Sequence, residues 1–288
     1  MNVRHIRTKT DKVVEAAKIG LLFVCKEKEN KMEETTKELK AKKISQLKPE
    51  TKKKWLASMM QYKKEFLAKL KAGEEVRVKL QPGNLKTGVS FMTVSLLPII
   101  DCVKVCSKYC GKDCYDMRHD MRNAYVRRDR ARNSAIREFS VEMYWTQILE
   151  SCIANGVHNL RLNVGGDLHD EDFDYVNWIA QKRPNMQIQF FTKNYNGLND
   201  FTKRIGGFPD NVKCIVSAWP GIKMNNPYHY PESHIIWEDG SSTLPSYARH
   251  VSLCSGNCTV CDEKGIGCMN SKRVDNEGDI NYQVLFSH

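Results

Sequence analysis

His158-Asn159-Leu160-Arg161-Leu162-Asn163-Val164-Gly165-Gly166-Asp167-Leu168-His169-Asp170 is the stretch on which the fold turns. Leu160, Leu162 and Val164 alternate toward one side, as a half-buried strand requires. Two glycines then turn the chain, and Asp170 offers a carboxylate to cap a following helix. That helix is predicted to run to about Arg183, where Pro184 stops it. Downstream the rhythm repeats, with a strand over Met186–Thr192, a short helix near Leu198–Ile205, and a strand over Val212–Ser217. Upstream, Val141–Ile153 reads as an amphipathic helix ended by Asn155-Gly156. Strands alternating with helices make parallel βαβ units, and such sheets bind ligands at the carboxyl ends of their strands. Gly165, Gly166 and Asp167 stand at such an end, as do Thr192, Asn194 and Ser217.

The chemistry is carried by cysteine. The chain has 11 of them and a formal net charge of +11. Its longest apolar run, Ile19 to Cys25, is far short of the about 20 residues a membrane span needs. No secretion signal is legible, so a cytoplasmic protein without a membrane partner is expected, and clustered thiols there read as metal ligands. Cys25, Cys152 and Cys214 stand alone in apolar surroundings and read as core thiols. Cys102, Cys106, Cys110 and Cys114 follow one another four residues apart. On one straight helix the outer pair would be about 18 Å apart. Two sulfurs on one zinc are at most about 4.6 Å apart. A continuous helix is therefore excluded if all four ligate together, and Gly111 favours a loop. Cys254, Cys258, Cys261 and Cys268 form a second group, after a strand-like Arg249–Leu253, with Gly256, Gly265 and Gly267 among them. Iron–sulfur and zinc both stay open for each group, as does one site shared between them.

Three regions are expected: a basic helical region at 1–82, an α/β core at 83–249, and a cysteine-rich metal-binding segment at 250–288. Between Lys26 and Lys79 there are 17 Lys and Arg against 9 Asp and Glu, which points to an anionic partner such as a nucleic acid or nucleotide. A solvated Lys-rich helix surface accounts for the same charge equally well. Pro49 opens a helix that Gly73 closes, with Leu56, Met59, Met60, Phe66, Leu67 and Leu70 on one face. Gln81-Pro82-Gly83-Asn84 marks a turn and a boundary. After the first cysteines come Arg118, Arg122, Arg127 and Arg128, candidates for anion binding, with Arg130, Arg132 and Arg137 beyond them. His169 is a candidate acid or base, Arg161 a candidate anion contact, and Trp219 a candidate stacking surface; no catalytic residue is assigned. Walker-type, H-E-x-x-H and G-x-S-x-G motifs are absent from the sequence.

In order, the cysteine loop ending Cys106-x3-Cys110-x3-Cys114-Tyr115, the strand running into Gly165-Gly166-Asp167, and the polar strand ends at Thr192-Lys193-Asn194 and Ser217 resemble the radical S-adenosylmethionine (SAM) superfamily. The resemblance implies a partial (β/α) barrel and a [4Fe–4S] cluster on three cysteines. It also implies SAM chelated at the open iron, with Gly165, Gly166 and Asp167 bordering the SAM pocket. The family's cysteine spacing is C-x3-C-x2-C and its segment is Gly-Gly-Glu, so both motifs differ here. The second cysteine group is similar to the auxiliary-cluster loops of some members. From about Gly83 to Cys268 the chain also resembles phage proteins called gene product eighty-eight, with residues 1–80 outside the resemblance. The first expectation is therefore an enzyme of radical SAM type acting on a nucleic acid or nucleotide in the host cytoplasm. The alternatives are a non-catalytic nucleic-acid-binding protein with two structural zinc sites, and a cluster that is only structural or redox-sensing.

Overall fold

The computed structural model describes residues 49–83, 91–112, 114–237, 239–246, 251–254, 256–264, 268 and 283–287. The chain divides into two compact units, 1–43 and 44–288, and every described residue belongs to the second. The apolar run at 19–25, the basic residues before Pro49, the segment 84–90, and the side chains of Arg118 and Arg122 lie outside the description.

Eight strands form one sheet among the described residues: β1 (Gln81–Pro82), β2 (Phe91–Val94), β3 (Asn159–Leu162), β4 (Gln187–Thr192), β5 (Val212–Ser217), β6 (Glu232–Ile236), β7 (Val251–Leu253) and β8 (Gln283–Ser287). Their order is β1-β2-β3-β4-β5-β6-β8-β7. Only the short β1 is antiparallel to its neighbour; all other pairs are parallel. From β2 to β6 spatial order follows chain order, so each crossover advances by one strand. The α/β class expected from sequence is observed. The sheet ends at β1 and β7 and does not close into a barrel.

Among the described residues the helices are α1 (Pro49–Lys71), α2 (Lys104–Lys108), α3 (Tyr115–Arg122), α4 (Ala124–Phe139), α5 (Val141–Ala154), α6 (Asp172–Lys182), α7 (Tyr195–Ile205) and α8 (Cys258–Glu263). Side-chain caps fix several starts. Asn123 accepts from the Tyr125 and Val126 amides before α4, Ser140 from Met143 before α5, and Asn194 from Gly197 before α7. Gly206, at φ +92°, closes α7 in the left-handed conformation that glycine adopts without steric cost. Asp170 does not cap α6 as expected. Its Oδ1 accepts from Asn194 Nδ2 at 2.8 Å, while Asp172 Oδ2 accepts from the His169 amide at 2.8 Å.

One face of the sheet, with Leu160, Leu162, Ile188, Phe190, Cys214 and Val216, packs against helix residues such as Ile148, Phe173, Val176 and Leu198. Fully burying a side chain of this size stabilises by about 1.5–3 kcal/mol. Cys152 and Cys214 belong to this core, as expected of lone thiols. Helix α1 buries Trp55, Met59, Lys63, Phe66 and Leu70, a stripe at helical spacing. Lys63 is the odd member, and its ammonium pairs with Asp101 at 3.1 Å and Glu138 at 2.8 Å.

Candidate functional site

The first cysteine group is built on a broken helix. After β2 the chain turns at 98–101, and α2 then carries Cys106. That helix stops at Tyr109, a single 3-10 turn over Cys110–Lys112 follows, and Cys114 precedes α3. The continuous helix excluded by geometry is indeed absent. Cys106 Sγ donates to Asp167 Oδ2 at 3.4 Å, Cys110 Sγ to the Cys106 carbonyl at 3.2 Å, and the Ile99 amide to Cys102 Sγ at 3.3 Å.

Asp167 is the hub. Besides Cys106, its carboxylate accepts from Thr192 Oγ1 at 2.7 Å, the Leu168 amide at 2.8 Å and the Lys193 amide at 3.0 Å. A carboxylate accepts about four hydrogen bonds, so these fill it. The glycines before it are demanded by space. A Cβ on Gly166, at φ +83°, would stand 2.8 Å from Leu96 Cβ, and one on Gly165 would stand 3.0 Å from the Leu96 carbonyl. The Leu96 amide donates to the Gly165 carbonyl at 3.0 Å, and the Asp167 amide to the Asp101 carbonyl at 3.2 Å. The segment leading into the cysteines is thereby laced to the Gly-Gly turn. Tyr109 closes the other side, its ring lying where a Cβ on Gly221 would be.

Burial pushes the Cys102 thiol well up, and Cys114 up to about 11. The hydrogen bond with Cys106 brings Cys110 down to about 7, with Lys193 helping, and raises Cys106 in turn.

The second group lies elsewhere, on the sheet face away from the core helices. Cys258 packs on Phe91, and Cys268 packs on Ile215 with Phe191 and Cys254 alongside. Burial raises the Cys268 thiol to about 11, and the nearby Cys258, Cys254 and Cys261 act in the same direction. Gln189 Nε2 donates to Cys268 Sγ at 3.3 Å, and the Arg161 guanidinium lies 4.9 Å over the Phe191 ring. Gln189 Oε1 and Arg161 Nε are buried without a hydrogen-bond partner. Arg161 therefore faces this interior and is not an exposed strand residue.

Of the arginines after the cysteine loop whose side chains are described, Arg127 and Arg130 turn inward and Arg128 stays exposed. Arg127 donates to Asp120, Ser58 and the carbonyls of Asp120 and Met121. Arg130 grips Asp116 with both terminal nitrogens, at 2.7 and 2.8 Å. Trp55 Nε1 joins the same network at Asp120, 2.8 Å away. Arg128 lies over the Tyr62 and Phe66 rings, 3.7 Å from Glu65. Arg137 pairs with Asp172 and Glu171. His169 Nε2 stands 3.3 Å from the Asp101 carbonyl, in the wall beside the turn. Asn194 and Ser217 form structural bonds, Asn194 capping α7 and Ser217 meeting Ser233 Oγ at 3.0 Å. Among the described residues no three His, Cys, Asp or Glu side chains stand at metal-ligand spacing in this pose.

Sequence reasoning missed a second polar cluster. His234 Nε2 lies 3.0 Å from Glu232 Oε2, and its Nδ1 3.0 Å from the Thr243 carbonyl. Both side chains are buried, on β6. Their spacing of two residues on a strand, which puts them on one face, is the signal that was available.

The molecule is thus a mixed α/β protein with one cysteine group at the carboxyl ends of its parallel strands and the other over a sheet face. The sequence model of the family described as Gene product 88 matches residues 26–274, and the chain belongs to this phage protein family. The match begins well before Gly83, so helix α1 belongs to the family region, in keeping with its buried stripe. No curated protein and no solved structure matches the chain. No helix among the described residues is long and apolar enough to cross a membrane.

Proposed function

We propose that the chain is an iron–sulfur protein and a phage-encoded enzyme of radical SAM type, acting on a nucleic acid or nucleotide. The observation that carries this reading is the lacing of the cysteine segment to the Gly165-Gly166-Asp167 turn at the carboxyl ends of β2 and β3, through Cys106 on Asp167, Leu96 on Gly165 and Asp167 on Asp101. The donor set suits such a cluster: four soft thiols on one short segment, Cys106 buried and the other three partly buried. Cys106, Cys110 and Cys114 would hold it, with Cys102 as the fourth thiol available.

Such a cluster, when bound and reduced, would supply an electron for reductive cleavage of a carbon–sulfur bond in SAM. Cys106 must give up its proton to ligate metal. Its hydrogen bond to Asp167 would then be lost, leaving one acceptor place on Oδ2 for another donor. An amino group is the donor the resemblance calls for. Thr192 and the Leu168 and Lys193 amides keep the carboxylate aimed throughout. Cys254, Cys258, Cys261 and Cys268 would hold a second metal group. The buried Arg161 Nε beside them suits an electron-rich, sulfur-ligated centre, as outer hydrogen bonds commonly do.

The enzymatic part is tested by incubating anaerobic, reduced protein with SAM and measuring methionine released. Release that disappears in Cys106→Ala supports it. No release from protein with a full complement of iron and sulfide overturns it and leaves a structural or redox cluster.

A further inference from the structure

Leu160, Leu162, Ile188 and Phe190 face the core helices, so the residues between them on β3 and β4 face the other way. Arg161 and Gln189 are two of these, and they stand directly opposite each other in the parallel pairing of the two strands. Neighbouring strands are about 4.8 Å apart. A donor and an acceptor thus sit side by side without meeting: Arg161 Nε and Gln189 Oε1 are both buried, and neither has a hydrogen-bond partner. Gln189 is 0% exposed, and its amide nitrogen donates to Cys268 Sγ at 3.3 Å. Among the described residues no carboxylate pairs with Arg161, whose guanidinium lies 4.9 Å over the Phe191 ring. A buried cation is costly unless an anion answers it. The groups beside it that can become anionic are thiols. Phe191 packs in the same cluster as Cys268 and Cys254, and burial, which raises the Cys268 thiol, is opposed there by Arg161.

We infer that Arg161 and Gln189 are positioning residues of the second cysteine group: the guanidinium supplies the counter-charge, and the Gln189 amide the hydrogen bond, for Cys268 as a metal-bound thiolate. Neutral thiols leave the guanidinium unanswered. Four thiolates on one divalent ion carry a net negative charge and answer it. Outer partners of this kind orient the ligands, and losing one commonly weakens metal binding about 10- to 100-fold. Arg161 and Gln189 come from two adjacent strands of the sheet, so the partners are held rigidly while the cysteines arrive on a later segment of chain. The inference rests on the proposal that this group holds metal, and it applies to a zinc ion as much as to an iron–sulfur cluster.

The test follows metal transfer from the full-length, metal-loaded protein to EDTA in the absence of oxygen. The phase of release that is missing in Cys268→Ala belongs to the second group. Arg161→Met is expected to speed that phase about tenfold, and Arg161→Lys, which keeps the charge, to restore most of the difference. Gln189→Leu, which keeps the cation and removes the bond to Cys268, is expected to speed it several-fold. Urea unfolding separates this role from packing. Arg161→Met is expected to lose more stability in metal-loaded than in metal-free protein, because the counter-charge is answered only in the first. An unchanged release rate in folded Arg161→Met overturns the inference; where that variant does not fold, an unchanged rate in Gln189→Leu does so. Release from Arg161→Lys as fast as from Arg161→Met also overturns it, as does a parent whose release is the same as that of Cys268→Ala. Zinc, iron and sulfide are measured on the same samples. Zinc in the second group, released faster as expected, keeps these roles and removes the iron–sulfur reading there. Iron and sulfide released at the parent's rate do the reverse.

Discussion

Cys106 Sγ stands 3.4 Å from Asp167 Oδ2, joining the cysteine loop to the strand-end turn with a side-chain hydrogen bond across 61 residues of chain. The carboxylate at the centre of that link is buried and saturated. Asp167→Ala leaves the Leu168 and Lys193 amides and the Thr192 hydroxyl without their acceptor. Each buried orphan costs about 1–3 kcal/mol. Urea unfolding is expected to register a loss of about 3 kcal/mol or more, against a much smaller loss for Asp167→Asn. Equal, small losses for both would mean that Asp167 is not the hub.

Lys63 reaches from α1 to Asp101, the residue before Cys102. Asp101 also accepts from the Leu97 amide at 2.8 Å, and its carbonyl receives the Asp167 amide. Removing one partner of a buried ion pair costs about 3 kcal/mol or more. Lys63→Met is expected to lower unfolding stability by that order and to reduce iron retained after desalting. Unchanged stability would detach α1 from the cysteine loop.

Gly166→Ala puts a Cβ at φ +83° and 2.8 Å from Leu96. The strain is about 1–3 kcal/mol, or a melting point lower by several degrees in differential scanning calorimetry. Gly240→Ala is the control, since its φ is +82° but nothing lies within 4 Å. The account expects Gly166→Ala to lose clearly more. Equal shifts would mean that backbone strain, rather than close packing on the cysteine loop, sets the need for glycine.

Burial raises the Asp172 carboxyl from 3.8, against the pull of Arg137. The folded chain therefore keeps this proton at a pH where the unfolded chain has lost it. The site's contribution to stability is complete below 3.8 and falls as pH rises through the folded value. Asp172→Asn has no such proton. Its unfolding free energy is expected to decline less than the parent's as pH rises above 3.8, read by urea titration at several pH values. Parallel curves would refute the assignment.

Legibility in the sequence followed burial pattern. Val212–Ser217 was readable because a run of Val, Cys, Ile and Val is interrupted by only one lysine. Glu232–Ile236 was not, because Glu232, Ser233 and His234 are polar yet buried, each satisfied by a partner distant from its own strand position or on a returning turn. Helix α7 begins at Tyr195, before the predicted Leu198, because Asn194 caps it through Gly197, a residue that reads as a breaker. The inward pairing of Arg127 and Arg130 is not legible in the sequence, because their partners Asp120 and Asp116 are ordinary helix residues until the fold brings them together. The cysteine groups were legible as groups. Their places, one at the strand ends and one over a sheet face, depend on contacts with Asp167, Phe91 and Ile215 that spacing does not encode.

The central claim is that the thiols bind iron–sulfur clusters, and metal analysis tests it most directly. Protein purified without oxygen from iron-supplied cells is assayed for iron, acid-labile sulfide and zinc, alongside its visible spectrum. The account predicts brown protein with iron and sulfide in equal amounts, and a first-group share lost when Cys106, Cys110 and Cys114 are replaced. Zinc alone, in colourless protein without sulfide, would contradict it and favour two structural zinc sites.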